Sequence, residues 1–226
     1  MDQTLTVAHL AKAIYILVNE MGLKPSTLAI GRHLNVSGHV VRKLLASSAV
    51  RGYVKRSKHQ PIKLLPKGEE LALKQIRAHR LWETYLHRTM GFDLQTIHIE
   101  ATRLEFNSSD LLINRIGELL GEPLFDLHGD PIPSATGEMA DVSDLINLDK
   151  LKAGDGGMVV RLCYHTPEFT LFCDRHAMNI GAEITVISKE DSGGVNIQLG
   201  DSVIYAAKET ARQIFITKAY YGSDIE

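Results

Sequence analysis

The stretch AHRLWETYLHRTMGFDLQTIHIEATRLEF, residues 78–106, carries four side chains that could do chemistry together: His79, Glu83, His98 and Glu105. His79 and Glu83 are four residues apart, which on a helix puts them on one face. His98 follows on the next helical stretch. Two imidazoles and a carboxylate form a nitrogen and oxygen donor set suited to Fe(II), Mn(II), Co(II) or Zn(II). Spacing alone is weak support, because a His and a Glu four apart are commonly a hydrogen-bonded pair on a solvated helix. Phe106 stands where one more ligand would be expected, and it has no donor atom. No HExxH, GxSxG or glycine-rich phosphate loop accompanies these residues, which argues against a metal-dependent hydrolase and against an enzyme in general.

Three helices must position this set. Pro66 suits the first turn of a long helix running to about His87, with Leu71, Leu73, Ile76, Leu81 and Leu86 to pack. Gly91 breaks the chain, a second helix starts near Asp93, and a third runs from Ser108 or Ser109 to Gly121. Residues 94–121 hold more apolar side chains (Leu94, Ile97, Leu104, Leu111, Leu112, Ile116, Leu119, Leu120) than one long helix can cover. A homodimer contact there is the expectation.

Ahead of these helices lies a basic head. Residues 1–80 contain 14 Lys and Arg against 4 Asp and Glu, while residues 81–226 contain 11 against 23, so a net charge of -2 conceals a cationic head on an acidic body. Such a head suits a polyanion. Val7, Leu10, Ile14 and Leu17 mark a first amphipathic helix ended by Gly22 and Pro25. Ser26 can cap a helix carrying Leu28, Ile30 and Leu34, Asn35 and Val36 make a turn, and Ser37 can cap a second helix with Val41, Leu44 and Leu45 inward. This is helix-turn-helix spacing. Its outward positions His39, Arg42 and Lys43, with Ser37 at the amino-terminal end, are the groups a major groove could use. YVKRS and PIKLL then read as a hairpin around Lys58, His59 and Gln60, a wing whose Lys55, Arg56, Lys58 and Lys63 would meet phosphates. The bland reading, a solvated charge run on three small helices, explains the composition but not the order of these features.

The runs AHRLWETYL, GFDLQTIHIEATRLE and LGEPLFDLHGDPIP, in this order behind a winged helix, resemble the diphtheria toxin repressor family of metal-dependent transcription regulators. Its members carry HRL-x-E, a VHxEAxxLEH-like segment and an HGxPIP-like loop, and the likeness covers about residues 7–137. The resemblance implies dimers that bind palindromic double-stranded operators when Fe(II) or Mn(II) loads two sites, and Zn(II) or Co(II) would suit the same donors. It assigns His79, Glu83 and His98 to one site. At the other, His9 stands where the family usually has Met or Asp, Thr102 where it has Cys or Glu, and Phe106 where it has His; Glu105 is retained. Either His9 and Glu105 rebuild a second metal site or side chains fill it. A regulator of the same architecture with altered or lost metal sensing, binding DNA constitutively, is the alternative function.

Beyond a turn-rich exit at His128–Pro133, with His128 read as a loop hydrogen-bonding residue, short strand patterns prevail: GMVVRLCY, EITVIS, GVNIQL, SVIYA and QIFITKA. Five strands in so short a span argue for a small barrel, and KAGDGGMVVRL, MNIGAEITVI and AKETARQIFI resemble the SH3-like domain of many such regulators. That likeness makes His165 and Glu168 candidate tail-domain ligands to the His79 site; otherwise they belong to an exposed loop. The expected class is mainly α with a small β domain: a winged helix-turn-helix at 1–65, a helical metal-binding and dimerisation domain at 66–137, a linker at 138–149 and an SH3-like domain at 150–226. At 44% hydrophobic and 23% charged residues the composition is globular. With no apolar run long enough to span a bilayer and no leader pattern at the N-terminus, a cytoplasmic protein without a membrane partner is expected. Cys163 and Cys173 fit no metal or disulfide framework and read as buried, reduced packing residues.

Overall fold

The computed structural model describes residues 5–57, 60–163 and 166–218. Lys58 and His59 at the hairpin tip, and His165, lie outside the described residues. The chain divides into two compact units, one of residues 1–126 with 132–140 and one of residues 127–131 with 141–226. The winged helix and the three helices that follow it therefore share a unit.

In the first unit, α1 (Val7–Tyr15) continues into a π-helical turn, Ile16–Glu20. Glu20, at the end of this turn, lies 3.0 Å from Arg80. Next come α2 (Thr27–His33) and α3 (Gly38–Val50). Ser26 caps α2 by accepting from the Ala29 N–H at 3.1 Å. Asn35 takes a left-handed φ of 53° in the turn, and Gly31 lets α2 approach it, since a Cβ there would lie 2.9 Å from the Val36 carbonyl oxygen. Leu10, Ile14, Leu17, Ile30, Val41 and Leu45 form the core of this head with Val54 and Ile62 from the hairpin. Each such burial contributes about 1.5–3 kcal/mol. Leu28, expected to pack, is 63% exposed, because the α2 face that meets the core is centred on Ile30.

The wing is an antiparallel hairpin of β1 (Val54–Ser57) and β2 (Gln60–Leu64), in which Lys55 and Lys63 stand opposite one another. After it, α4 (Pro66–Arg88) starts with proline in its first turn and runs on as the long helix. It packs against α1, α5 (Leu94–Leu104) and α6 (Asp110–Leu119). Ser109 caps α6 by accepting from the Leu112 N–H at 3.2 Å, and the Trp82 Nε1–H donates to Ser108 Oγ at 2.8 Å across the helices. Ala78, Leu81, Ile113, Ile116 and Ile132 form the apolar centre here. Two of the residues expected at a dimer contact are consumed within the chain: Ile97 and Ile116 are buried, whereas Leu94, Leu111, Leu112 and Leu119 are exposed.

The second unit is a six-stranded antiparallel sheet of β3 (Ile146–Asn147), β4 (Gly156–Leu162), β5 (Glu183–Lys189), β6 (Val195–Leu199), β7 (Ser202–Ala206) and β8 (Ile214–Lys218), in the order β3-β8-β4-β5-β6-β7. It is consistent with an SH3-like domain. Among the described residues a 3-10 turn, Leu148–Lys150, and two α-helices accompany it: α7 (Pro167–His176), capped by Thr166, and the short α8 (Lys208–Ala211). Each of the five strand patterns of the sequence forms a strand among the described residues. The segment read as linker supplies β3, paired with β8. His128 offers its backbone carbonyl to the Leu162 N–H at 2.8 Å, and Asp130 holds Arg161 Nε at 2.5 Å beside it. Cys163 and Cys173 are both buried, as expected. No helix among the described residues is long and apolar enough to cross a membrane.

Candidate metal centre

The i,i+4 spacing on α4 sets His79 and Glu83 on the face that meets α5, and α5 brings His98 across to them. His79 Nε2 lies 3.2 Å and His98 Nδ1 3.0 Å from the same oxygen, Glu83 Oε1. One ligand atom from each residue falls within 4.8 Å of the others. Donors about 2.1 Å from one ion must lie roughly 3–4.2 Å apart, so small side-chain movements suffice. His79 and Glu83 are buried while the His98 side chain is 63% exposed, which leaves the cluster open on one side. Two imidazoles and a carboxylate fit a divalent first-row ion.

The other ring nitrogen of His79 has its own carboxylate: Nδ1 is 2.7 Å from Glu105 Oε2, a close charge contact without hydrogen-bond directionality. Burial alone would lower the His79 pKa, but the negative charges of Glu83 and then Glu105 outweigh it, against Lys12, and carry it up to about 9. In the metal-free protein His79 is therefore an imidazolium at neutral pH.

Glu105 closes the other half of the arrangement. Its buried Oε2 accepts from Lys12 Nζ at 2.6 Å, the ammonium reaching across from α1. Burial would raise its pKa, yet Lys12 and His79 hold it below the usual carboxylate range. Beside it the His9 ring stacks on Phe106, with centroids 3.5 Å apart and planes 12° from parallel. His9 Nδ1 accepts from the Thr6 N–H at 3.2 Å in a capping box, and its Nε2 is buried with no hydrogen-bond partner among the described residues. Burial, opposed by Glu105 and reinforced by Lys12, pushes the His9 pKa down and keeps the ring neutral. The structure thus brings His79, Glu83 and His98 together, and gathers His9 and Glu105 around a lysine. Lys12 escaped the sequence reading because a cation on the polar side of an amphipathic helix looks solvated. Thr102, at another position of the altered site, turns its hydroxyl back to the His98 carbonyl at 2.8 Å.

On the head, Ser37, His39, Arg42 and Lys43 are exposed on and just before α3, and Lys55, Arg56 and Lys63 on the hairpin. Two lysines directly opposite on a hairpin repel one another, an arrangement relieved when both meet a polyanion. Glu168 is exposed in the first turn of α7, in the second unit.

The family profile "iron dependent repressor, metal binding and dimerisation domain" matches residues 65–134. The diphtheria toxin repressor of Corynebacterium glutamicum is 29% identical over 213 residues, 87% of this chain and 92% of that one. The iron-dependent repressor IdeR of Mycobacterium tuberculosis is 30% identical over 156 residues, covering 66% of this chain and 67% of that one. The Corynebacterium efficiens repressor is 33% identical over 147 residues, and the chain spans 60% of its length. Among solved structures, a manganese-dependent transcriptional repressor in complex with manganese superposes with a TM-score of 0.82 at 25% identity, covering 95% of this chain and all of that one. The manganese regulator SloR, at 24% identity with a TM-score of 0.85 over 96% of this chain, shares the fold. The chain belongs to the diphtheria toxin repressor family of metal-dependent transcriptional regulators.

Proposed function

We propose that this protein is a homodimeric repressor whose binding to a palindromic operator depends on one divalent ion per subunit held by His79, Glu83 and His98. The observation that carries the reading is the convergence of those three donors within 4.8 Å, on helices that form one compact unit with an exposed cationic α3. A bound ion would supply the positive charge that the His79 proton provides without it. His79 would present Nε2 once that proton leaves, with Nδ1 facing the Glu105 carboxylate; Glu83 would present the oxygen on which both rings already converge; His98 would close the open side. The donor set favours Fe(II) or Mn(II), with Zn(II) and Co(II) accommodated by the same atoms. His165 and Glu168 remain proposals as tail-domain ligands.

Arg42 and Lys43, with Ser37 and His39, suit base edges and phosphates of a major groove, and Lys55, Arg56, Lys58 and Lys63 suit the flanking backbone. The exposed leucines Leu94, Leu111, Leu112 and Leu119 suit a two-fold contact between copies, whose symmetry would match a palindromic site. Retardation of a selected operator fragment by the full chain with Mn(II), Fe(II) or a chelator tests the reading. Metal-dependent retardation by a species of dimeric mass is expected. Equal retardation in chelator favours the constitutive regulator, a reading that the charge balance of Lys12, Glu105 and His79 without metal also accommodates. A monomer at micromolar concentration overturns the dimer.

A further inference from the structure

The second site of the family does not fit a metal here, and the misfit has a definite form. Glu105 is buried, and a buried carboxylate must find positive charge or hydrogen bonds. Both of its cationic contacts fall on one oxygen, Oε2: Lys12 Nζ at 2.6 Å and His79 Nδ1 at 2.7 Å. Lys12 is a tethered ammonium with three donors and no lone pair, so it neutralises a carboxylate without a free ion. Next to it the stacked rings of His9 and Phe106 put carbon where a ligand shell would need donor atoms. Because His9 Nδ1 accepts from Thr6, the neutral ring carries its proton on Nε2, which then offers an N–H instead of a lone pair. Lys12 sits two positions from Leu10 and Ile14, both fully within the head's core, so its ion pair runs from the DNA-binding head to the end of α5.

Resting on the metal-site reading above, we infer that the Lys12 ammonium replaces the second metal ion: it neutralises Glu105, turns that carboxylate from a metal ligand into the charge partner of His79, and ties α1 to the sensing helices whether or not His79 holds an ion. The Glu105 carboxylate, 2.7 Å from His79 Nδ1, raises the basicity of the ring by its charge, and loss of a carboxylate behind a ligating imidazole commonly weakens metal binding by about 10–100-fold. Lys12 and Glu105 are thus positioning residues. Metal response in this protein is reduced to one site, with the head's first helix docked in advance.

The test is calorimetric titration of the full-length protein with Mn(II), beside thermal melts in chelator. The parent should take one equivalent, and Glu105→Gln one equivalent bound about 10–100-fold more weakly. Phe106→His should still take one while Lys12 remains, whereas Lys12→Leu/Phe106→His, which frees Glu105 and adds an imidazole beside His9, should take two. Lys12→Arg/Phe106→His, with the charge kept, should return to one. Two equivalents in the parent, or a second equivalent in Phe106→His with Lys12 present, overturns the inference. If the parent takes no Mn(II), the metal-site reading fails, and the melts in chelator decide the ammonium's role separately. There Lys12→Leu should lower the melting temperature by several degrees more with Glu105 present than in a Glu105→Leu background. Equal shifts in the two backgrounds overturn it.

Discussion

At His79, Glu83 and His98 three donors converge and a proton supplies the balancing charge; at His9, Glu105 and Phe106 a ring stack fills the space and a lysine supplies it. Glu105 joins the two clusters, meeting His79 of the first and the lysine of the second through one oxygen. A proton can leave for a divalent ion, whereas an ammonium held by its own backbone cannot diffuse away. The contrast teaches that a charge-balanced carboxylate is not by itself a metal site: what counts is whether its counter-charge is exchangeable.

The largest effect that would break this contrast is at the first cluster. His79→Ala removes one of three donors, and Mn(II) binding should fall below calorimetric detection; retention of one tight equivalent would move the metal elsewhere. Next comes pH. The ordinary histidine pKa of 6.5 is carried up to about 9 in the metal-free fold. The folded state then holds the proton more tightly than the unfolded chain, so this stabilisation is complete below pH 6.5 and is lost as pH rises through about 9. Melting temperatures in chelator should accordingly fall across that window, and those of His79→Ala should fall less. Metal affinity should run the opposite way, rising about tenfold per pH unit while a single proton is displaced. A flat affinity profile would show that His79 does not ligate.

The contrast also has to reach DNA. Arg42→Ala and Lys43→Ala should each weaken operator binding by about 1–3 kcal/mol where a base contact is lost, and relax sequence preference. Lys63→Ala should instead weaken all sequences alike and reduce the salt slope by about one unit. Parent-like binding by Arg42→Ala/Lys43→Ala would exclude α3 as the reading helix. The smallest effect is expected from His9→Ala: the same one equivalent of Mn(II), with loss of an aromatic pair contributing about 0.5–1.5 kcal/mol to stability. A fall from two equivalents to one would show that His9 is a ligand after all.

Much of this was legible without coordinates because it is local. The 3.6-residue period of Leu10, Ile14 and Leu17, the caps Ser26 and Ser109, proline at the start of α4 and the alternation in β4 to β8 are each written within a few neighbouring residues. The i,i+4 pair of His79 and Glu83 belongs to the same class, since helix geometry alone puts them on one face. Helix α7 went unread because its apolar residues sit between strand patterns, and β3 because two residues are too few for a period. What tertiary structure alone decided lies between distant positions. Sequence composition showed excess leucine and isoleucine at 94–121, but only the packing of α4 distinguishes buried Ile97 and Ile116 from exposed Leu94 and Leu111. Lys12 and Glu105 are 93 residues apart, and nothing in either neighbourhood announces the other. Their ion pair exists because α1 and α5 both pack on α4, and the way helices cross is set by how side-chain ridges interlock, a property of the whole packed surface and of no single segment.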